Sequence, residues 1–235
     1  MSNLKLIKVT SSEEGAEHVY QIIEEELKNG QLHVIGLATG STMVPVYRKW
    51  TASNLDFENV ITFNLDEYVG ISAKSPNSYA YFMQEHLFNE KKFKKTHTID
   101  GLAEDLDKEC ADFEALLEKY PLDLQLLGVG ENGHIAFNEP GTSFDSRTHV
   151  AKLTESTLGV NSQYFANDEK IPETALTMGI NSITRAKKIV LLAFGEKKRV
   201  AITKLLEGNM TTEWPITALL GHNDVTIITD LDIRK

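Results

Sequence analysis

Apolar residues recur along this chain in two alternating rhythms. Between Ser11 and Asn29 they fall at helical spacing, with Ala16, Val19, Ile22, Ile23 and Leu27 repeating on one side. Ser and Glu open that stretch and Gly30 follows it, which predicts a first helix. Short apolar runs predict strands at LHVIGLA, NVITFNL, LDLQLLGVG, KKIVLLAFG and DVTIITD. Between them VPVYRKW, SYAYFMQEHLF, EDLDKECADFEALLEKY and EKKRVAITKLLEG read as helices. Near-continuous apolar strands separated by helices predict an α/β class: a Rossmann-like three-layer sandwich with a mainly parallel central sheet and helices on both faces. A length of 235 residues suits one domain spanning 1–235. DEKIP, from Asp168 to Pro172, reads as a hinge or exposed loop and places a candidate mobile lid around residues 150–172.

In such sheets a ligand lies beyond the carboxyl ends of the strands. The rule selects Thr39–Thr42, Asp66 with Glu67, Gly128–Glu139, and Gly195–Lys198. In LATGSTM, Gly40 permits a tight turn while Thr39, Ser41 and Thr42 offer hydroxyls at the start of a helix. Helix-terminal amides there can hold a phosphate, or the hydroxyls can simply cap the helix. FGEKKR sets Lys197, Lys198 and Arg199 against the helix dipole, as a ligand's counter-charge or as a solvated charge run. Asp66 and Glu67 in FNLDEY are either helix-capping acids or carboxylates desolvated enough to abstract a proton from carbon. GVGENGHIAFNEP packs glycines before Asn132, His134 and Glu139, so that Glu139 can orient His134 as an acid–base shuttle.

Composition narrows the partners. A formal net charge of −10 opposes general nucleic-acid or anionic-membrane binding, so a phosphate ligand needs a local positive site. No apolar run is long enough to span a bilayer, which predicts a soluble cytoplasmic protein. The single cysteine, Cys110, excludes an intrachain disulfide and reads as a packed thiol. The remaining histidines, His18, His33, His86, His97, His149 and His222, read as structural or surface residues. The chain lacks a Walker P-loop, a dinucleotide G-x-G-x-x-G, a G-x-S-x-G elbow and metal-ligand spacing, so ATP and NAD are disfavoured and no metal is expected.

LATGST, FNLDEYVG, GVGENGHIAFNEPGT with SRTH, ALTMGI and FGEKKR resemble, in order and spacing, the glucosamine-6-phosphate deaminases. The resemblance implies conversion of glucosamine 6-phosphate and water to fructose 6-phosphate and ammonia, on a Rossmann-like fold without a cofactor. It implies that His134, flanked by Asn132 and Glu139, opens the sugar ring and that Asp66 moves the C2 proton. Thr39, Gly40, Ser41, Thr42 and Lys198 correspond to the family's phosphate pocket. Asn132 stands where many members carry aspartate and lends the imidazolium less charge stabilisation. Met43 replaces a common proline, and Gln163 replaces an arginine that reaches the phosphate in many members. His149 and Ala151 stand where allosteric members carry basic residues, so activation by N-acetylglucosamine 6-phosphate is not expected. A monomer or small homo-oligomer follows. The rivals are a lactonase-like hydrolase or another sugar-phosphate isomerase, a galactosamine-phosphate deaminase, and a sugar-phosphate-sensing regulator. A regulator of that type needs a helix-turn-helix for which this chain has no room.

Overall fold

A computed structural model of the protein describes residues 4–154, 157–159 and 172–233. Seven strands form the main sheet: β1 (Leu4–Lys8), β2 (Val34–Leu37), β3 (Ile61–Asn64), β5 (Lys95–His97), β6 (Leu124–Leu127), β9 (Lys188–Ala193) and β10 (Val225–Thr229). Their order is β1-β10-β9-β6-β2-β3-β5, and every neighbouring pair is parallel. From β2 the chain winds outward through β3 to β5. It then returns to β6 beside β2 and winds the other way through β9 to β10. The sheet is therefore doubly wound, and its switch point lies between β2 and β6.

Helix α1 (Ser12–Lys28) starts where the Ser11 side chain accepts from the Glu14 amide, while Glu14 reaches back to the Thr10 amide. Its buried Gly15, Ala16, Val19 and Ile23 face β10, leaving Glu and Lys residues outside. Helix α2 (Val44–Thr51) packs beside α1 and buries Val46, Tyr47 and Trp50. After the short helix α3 (Tyr79–Met83), helix α4 (Leu106–Lys119) lies on the opposite face. There Cys110, Phe113 and Leu117 point inward and Phe113 meets Phe63 of β3 edge-on, with ring centroids 5.5 Å apart. Strand registers put Phe63 on the face opposite Ile228, the β10 side chain nearest α1, so the three-layer arrangement holds. Cys110 is buried, and that burial pushes its thiol up to about 11, as a packed thiol requires.

Helices do not alternate with strands throughout, as the apolar pattern predicts. The chain leaves β3 directly into β4 (Asp66–Tyr68), which pairs antiparallel with β8 (Thr174–Thr177), itself paired antiparallel with β7 (His149–Lys152). The Met178 amide donates to the Leu65 carbonyl at 2.8 Å, joining this small sheet to the large one. Buried Glu114 of α4 fixes its other edge, accepting from the Thr148 amide at 2.8 Å, from Arg147, and from the Ser182 and Thr148 hydroxyls. Residues 150–152, at the start of the expected lid, thus belong to β7. Gln163 and the DEKI part of the hinge lie outside the described residues. No described helix is long and apolar enough to cross a membrane.

Candidate active site

A cavity of about 520 Å³ opens at the switch point. Its floor is the loop after β2, where Gly40 takes φ +94° and the Met43 amide closes a turn onto the Gly40 carbonyl. Thr39, Gly40, Ser41 and Thr42 all line it, ahead of the first turn of α2. Met43 caps α2 from a fully buried position and Pro45 stands in its first turn, so the helix begins with a fixed proline even with Met at position 43. Lys198 enters from a short 3-10 turn, Glu196–Lys198, that precedes the helix Arg199–Leu206. Burial lowers the Lys198 pKa against the opposing pull of Glu131. Its neighbours are committed elsewhere: Lys197 lies 3.4 Å from Glu131, and Arg199 pairs with Glu196.

The two carboxylates after β3 have separate fates. Glu67 accepts the amides of Tyr68, Tyr79 and Ala80 at 2.9, 3.0 and 2.8 Å, so it caps the helix that begins at Tyr79. Asp66 points into the cavity and is 7% exposed. Burial, assisted by the charge of Glu67, raises its pKa to about 8. The β4–β8 register sets Asp66 opposite Thr177, whose hydroxyl accepts the Phe137 amide at 3.1 Å. One short chain of bonds therefore fixes Asp66 relative to the glycine-rich loop.

That loop runs from the end of β6. An added Cβ on Gly130 falls 2.3 Å from the His134 ring, so only glycine lets the imidazole lie against the backbone there. Gly133 takes φ +80° beneath Trp214. Ala136 adopts φ +51°, a strained value for a residue with a side chain, inside the tight turn bridging Ile135 and Asn138. Asn138 holds the turn, donating to the Ile135 and Met178 carbonyls at 2.9 and 2.8 Å. The Asn132 side chain accepts from the His134 amide at 3.2 Å and donates to Glu139 Oε2 at 2.8 Å. His134 Nδ1 lies 3.5 Å from the same oxygen, a contact short enough for an ion pair and too long for a formed hydrogen bond. Burial opposes the charge of Glu139. The contact with His134 and donation from Thr157 and Asn132 outweigh that opposition and hold its pKa at about 2.

Eight of the nine sequence-derived site residues, namely Thr39, Gly40, Ser41, Thr42, Asp66, Asn132, His134 and Lys198, line this one cavity. Glu139 stands behind His134. Sequence reasoning left out a second wall formed by Tyr79, Phe82, His86 and Phe137. His86, read as structural or surface, lines the cavity from a π-helical turn, Gln84–Phe88, with its ring 4.3 Å from that of Phe82. The i, i+3 spacing of Tyr79 and Phe82 looks like an ordinary core stripe, and nothing local to His86 marks it. Tyr79 donates to the Tyr68 hydroxyl at 3.2 Å and its ring stacks on Phe137, which makes this wall apolar and rigid.

A doubly wound sheet with a switch-point cavity, a buried carboxyl and a carboxylate-backed imidazole defines an enzyme of acid–base chemistry on a small molecule. Residues 8–228 match the profile of the glucosamine-6-phosphate isomerases/6-phosphogluconolactonase family. The chain belongs to that family. It is 47% identical over 227 residues to the glucosamine-6-phosphate deaminase of Enterococcus faecalis, covering 97% of each chain. It is 47% identical to that of Lactobacillus acidophilus, covering 97% of this chain and 95% of the other. Among solved structures, a monomeric glucosamine-6-phosphate deaminase superposes with a TM-score of 0.92 at 42% identity, over 96% of each chain. The 6-phosphogluconolactonase of Thermotoga maritima shares the fold at a TM-score of 0.76 and 18% identity, over 96% of this chain and 98% of that one.

Proposed function

We propose that this enzyme converts glucosamine 6-phosphate and water to fructose 6-phosphate and ammonia. The observation that carries the reading is the juxtaposition, in one cavity, of the buried Asp66 carboxyl with His134 and Asn132, backed by Glu139. His134 takes the proton of the anomeric hydroxyl and returns one to the ring oxygen, opening the pyranose. Glu139 stabilises the imidazolium that forms between the two transfers. Asp66 then removes the C2 proton while the C1 oxygen takes a proton from the C2 ammonium, giving an enolamine, and Asp66 returns its proton to C1, leaving a protonated imine at C2. Water adds to that imine and ammonia departs.

Burial raises Asp66 to about 8, which favours its protonated form at neutral pH. The substrate's C2 ammonium, placed beside it, favours the carboxylate and so readies the base as the substrate binds. Thr39–Thr42 and Lys198 hold the phosphate through loop amides, hydroxyls and a half-buried cation. Every one of these groups comes from one chain, and the 42% identical relative is monomeric, which supports a monomer as a sufficient unit. The main buried cluster runs from Val9 to Leu231, which supports one domain over 1–235.

Purified protein incubated with glucosamine 6-phosphate and a chelator is expected to release ammonia and fructose 6-phosphate in equal amounts. Binding of the sugar phosphate with release of neither product would keep the cavity and overturn the reaction.

A further inference from the structure

We infer that Thr157 is a positioning residue of the acid–base centre, its hydroxyl fixing the Glu139 carboxylate so that the second oxygen faces Asn132 and His134. The inference rests on the reading of that centre above. Thr157 is 4% exposed, and its hydroxyl donates to Glu139 Oε1. The Thr154 hydroxyl donates to Thr157 Oγ at 3.2 Å, so the Thr157 hydroxyl hydrogen is left for Glu139 alone. Glu139 Oε2 meanwhile accepts from Asn132 at 2.8 Å and lies 3.5 Å from His134 Nδ1. The carboxylate is thus held at both oxygens, one by Thr157 and the other by the pair that handles protons.

Without the hydroxyl, a buried carboxylate oxygen has lost its donor. Such an oxygen is satisfied by rotating the carboxylate or by taking up a proton, and either change removes charge from in front of His134. Among the described residues, His134 is the titratable group facing Glu139, whereas Asn132 and Thr157 are neutral donors. Thr157 also lines the cavity, and the split between kcat and KM separates its hold on Glu139 from a direct contact with substrate. A threonine gives no sign of this in sequence, because its partner lies eighteen positions away.

Thr157→Val keeps the shape and removes the donor. It is expected to lower kcat on glucosamine 6-phosphate roughly tenfold, the scale of one hydrogen bond to a charged group, with KM within about twofold. Thr157→Ser is expected to restore most of kcat. If the valine variant does not fold, Thr157→Ala, which also lacks the hydroxyl, is judged by the same criteria. In parallel, the Glu139 carboxyl carbon resonance is titrated without substrate, and its midpoint is expected to rise in the valine variant and not in the serine variant. Wild-type kcat in the hydroxyl-free variants, a serine variant as impaired as the valine one, or an unmoved Glu139 titration would each overturn the inference. Were the wild-type enzyme inert toward glucosamine 6-phosphate, the proposed reaction would fail, and the titration would still decide the role of Thr157.

Discussion

In the proposed mechanism Asp66 is the residue at which catalysis and stability conflict. Its pKa is raised from 3.8 to about 8 by burial and by Glu67, so the folded chain holds that proton more tightly than the unfolded chain does. The associated stabilisation is complete below about pH 4 and is lost as pH rises toward 8. Each pH unit over which the two forms differ by a full proton is worth about 1.4 kcal/mol, so the cost near neutrality reaches a few kcal/mol. Asp66→Asn has no charge to bury. It is expected to melt higher than wild type at pH 8, with the difference shrinking toward pH 4, and equal melting temperatures across that range in calorimetry would contradict the assignment. Both acids of NLDEY were legible as candidates from their place after an apolar strand. Which one faces the cavity was not, because the amides that occupy Glu67 include those of Tyr79 and Ala80, twelve and thirteen residues away.

At the scale of elements, the central strands were legible because burial on both faces leaves them almost wholly apolar, as in β2, β3, β6 and β10. Edge and small-sheet strands were not. β1 is half exposed, β5 reads Lys-Thr-His, and β4 reads Asp-Glu-Tyr, so none carries an apolar run. The consequence reaches the site, since β4 and β8 connect Asp66 to the loop bearing His134. That loop depends on its glycines in a way that spacing hinted at and geometry specifies. A methyl group on Gly130 meets the His134 ring at 2.3 Å, and rigid strand β6 behind the loop leaves the imidazole as the group that moves. Gly130→Ala is expected to reduce kcat at least a hundredfold, the penalty for displacing a reacting group by about 1 Å, while thermal stability changes little. Steady-state kinetics beside a melting curve checks this; unchanged kcat would mean that His134 does not act from the position seen.

Across the whole molecule, the doubly wound order places the phosphate-type loop after β2 and the glycine loop after β6 side by side, although about ninety residues separate them. The rule that ligands lie beyond the carboxyl ends of such strands picks out both loops from sequence, the strand order sets them at the switch point, and the small antiparallel sheet brings Asp66 to the cavity's edge. The aromatic wall of Tyr79, Phe82 and Phe137 closes one side and lowers the dielectric in which Asp66 works. Sequence could not show this wall, because its residues come from two segments joined only by tertiary packing.

The central claim is that Asp66 carries a proton from C2 to C1 during deamination. The most direct measurement is turnover of glucosamine 6-phosphate in D₂O by wild type and Asp66→Asn, with mass and NMR analysis of the product. Wild type is expected to release ammonia and fructose 6-phosphate bearing deuterium at C1, to the extent that Asp66 exchanges its proton with solvent, and Asp66→Asn is expected to yield neither product. Release of ammonia and fructose 6-phosphate by Asp66→Asn at the wild-type rate would contradict the account.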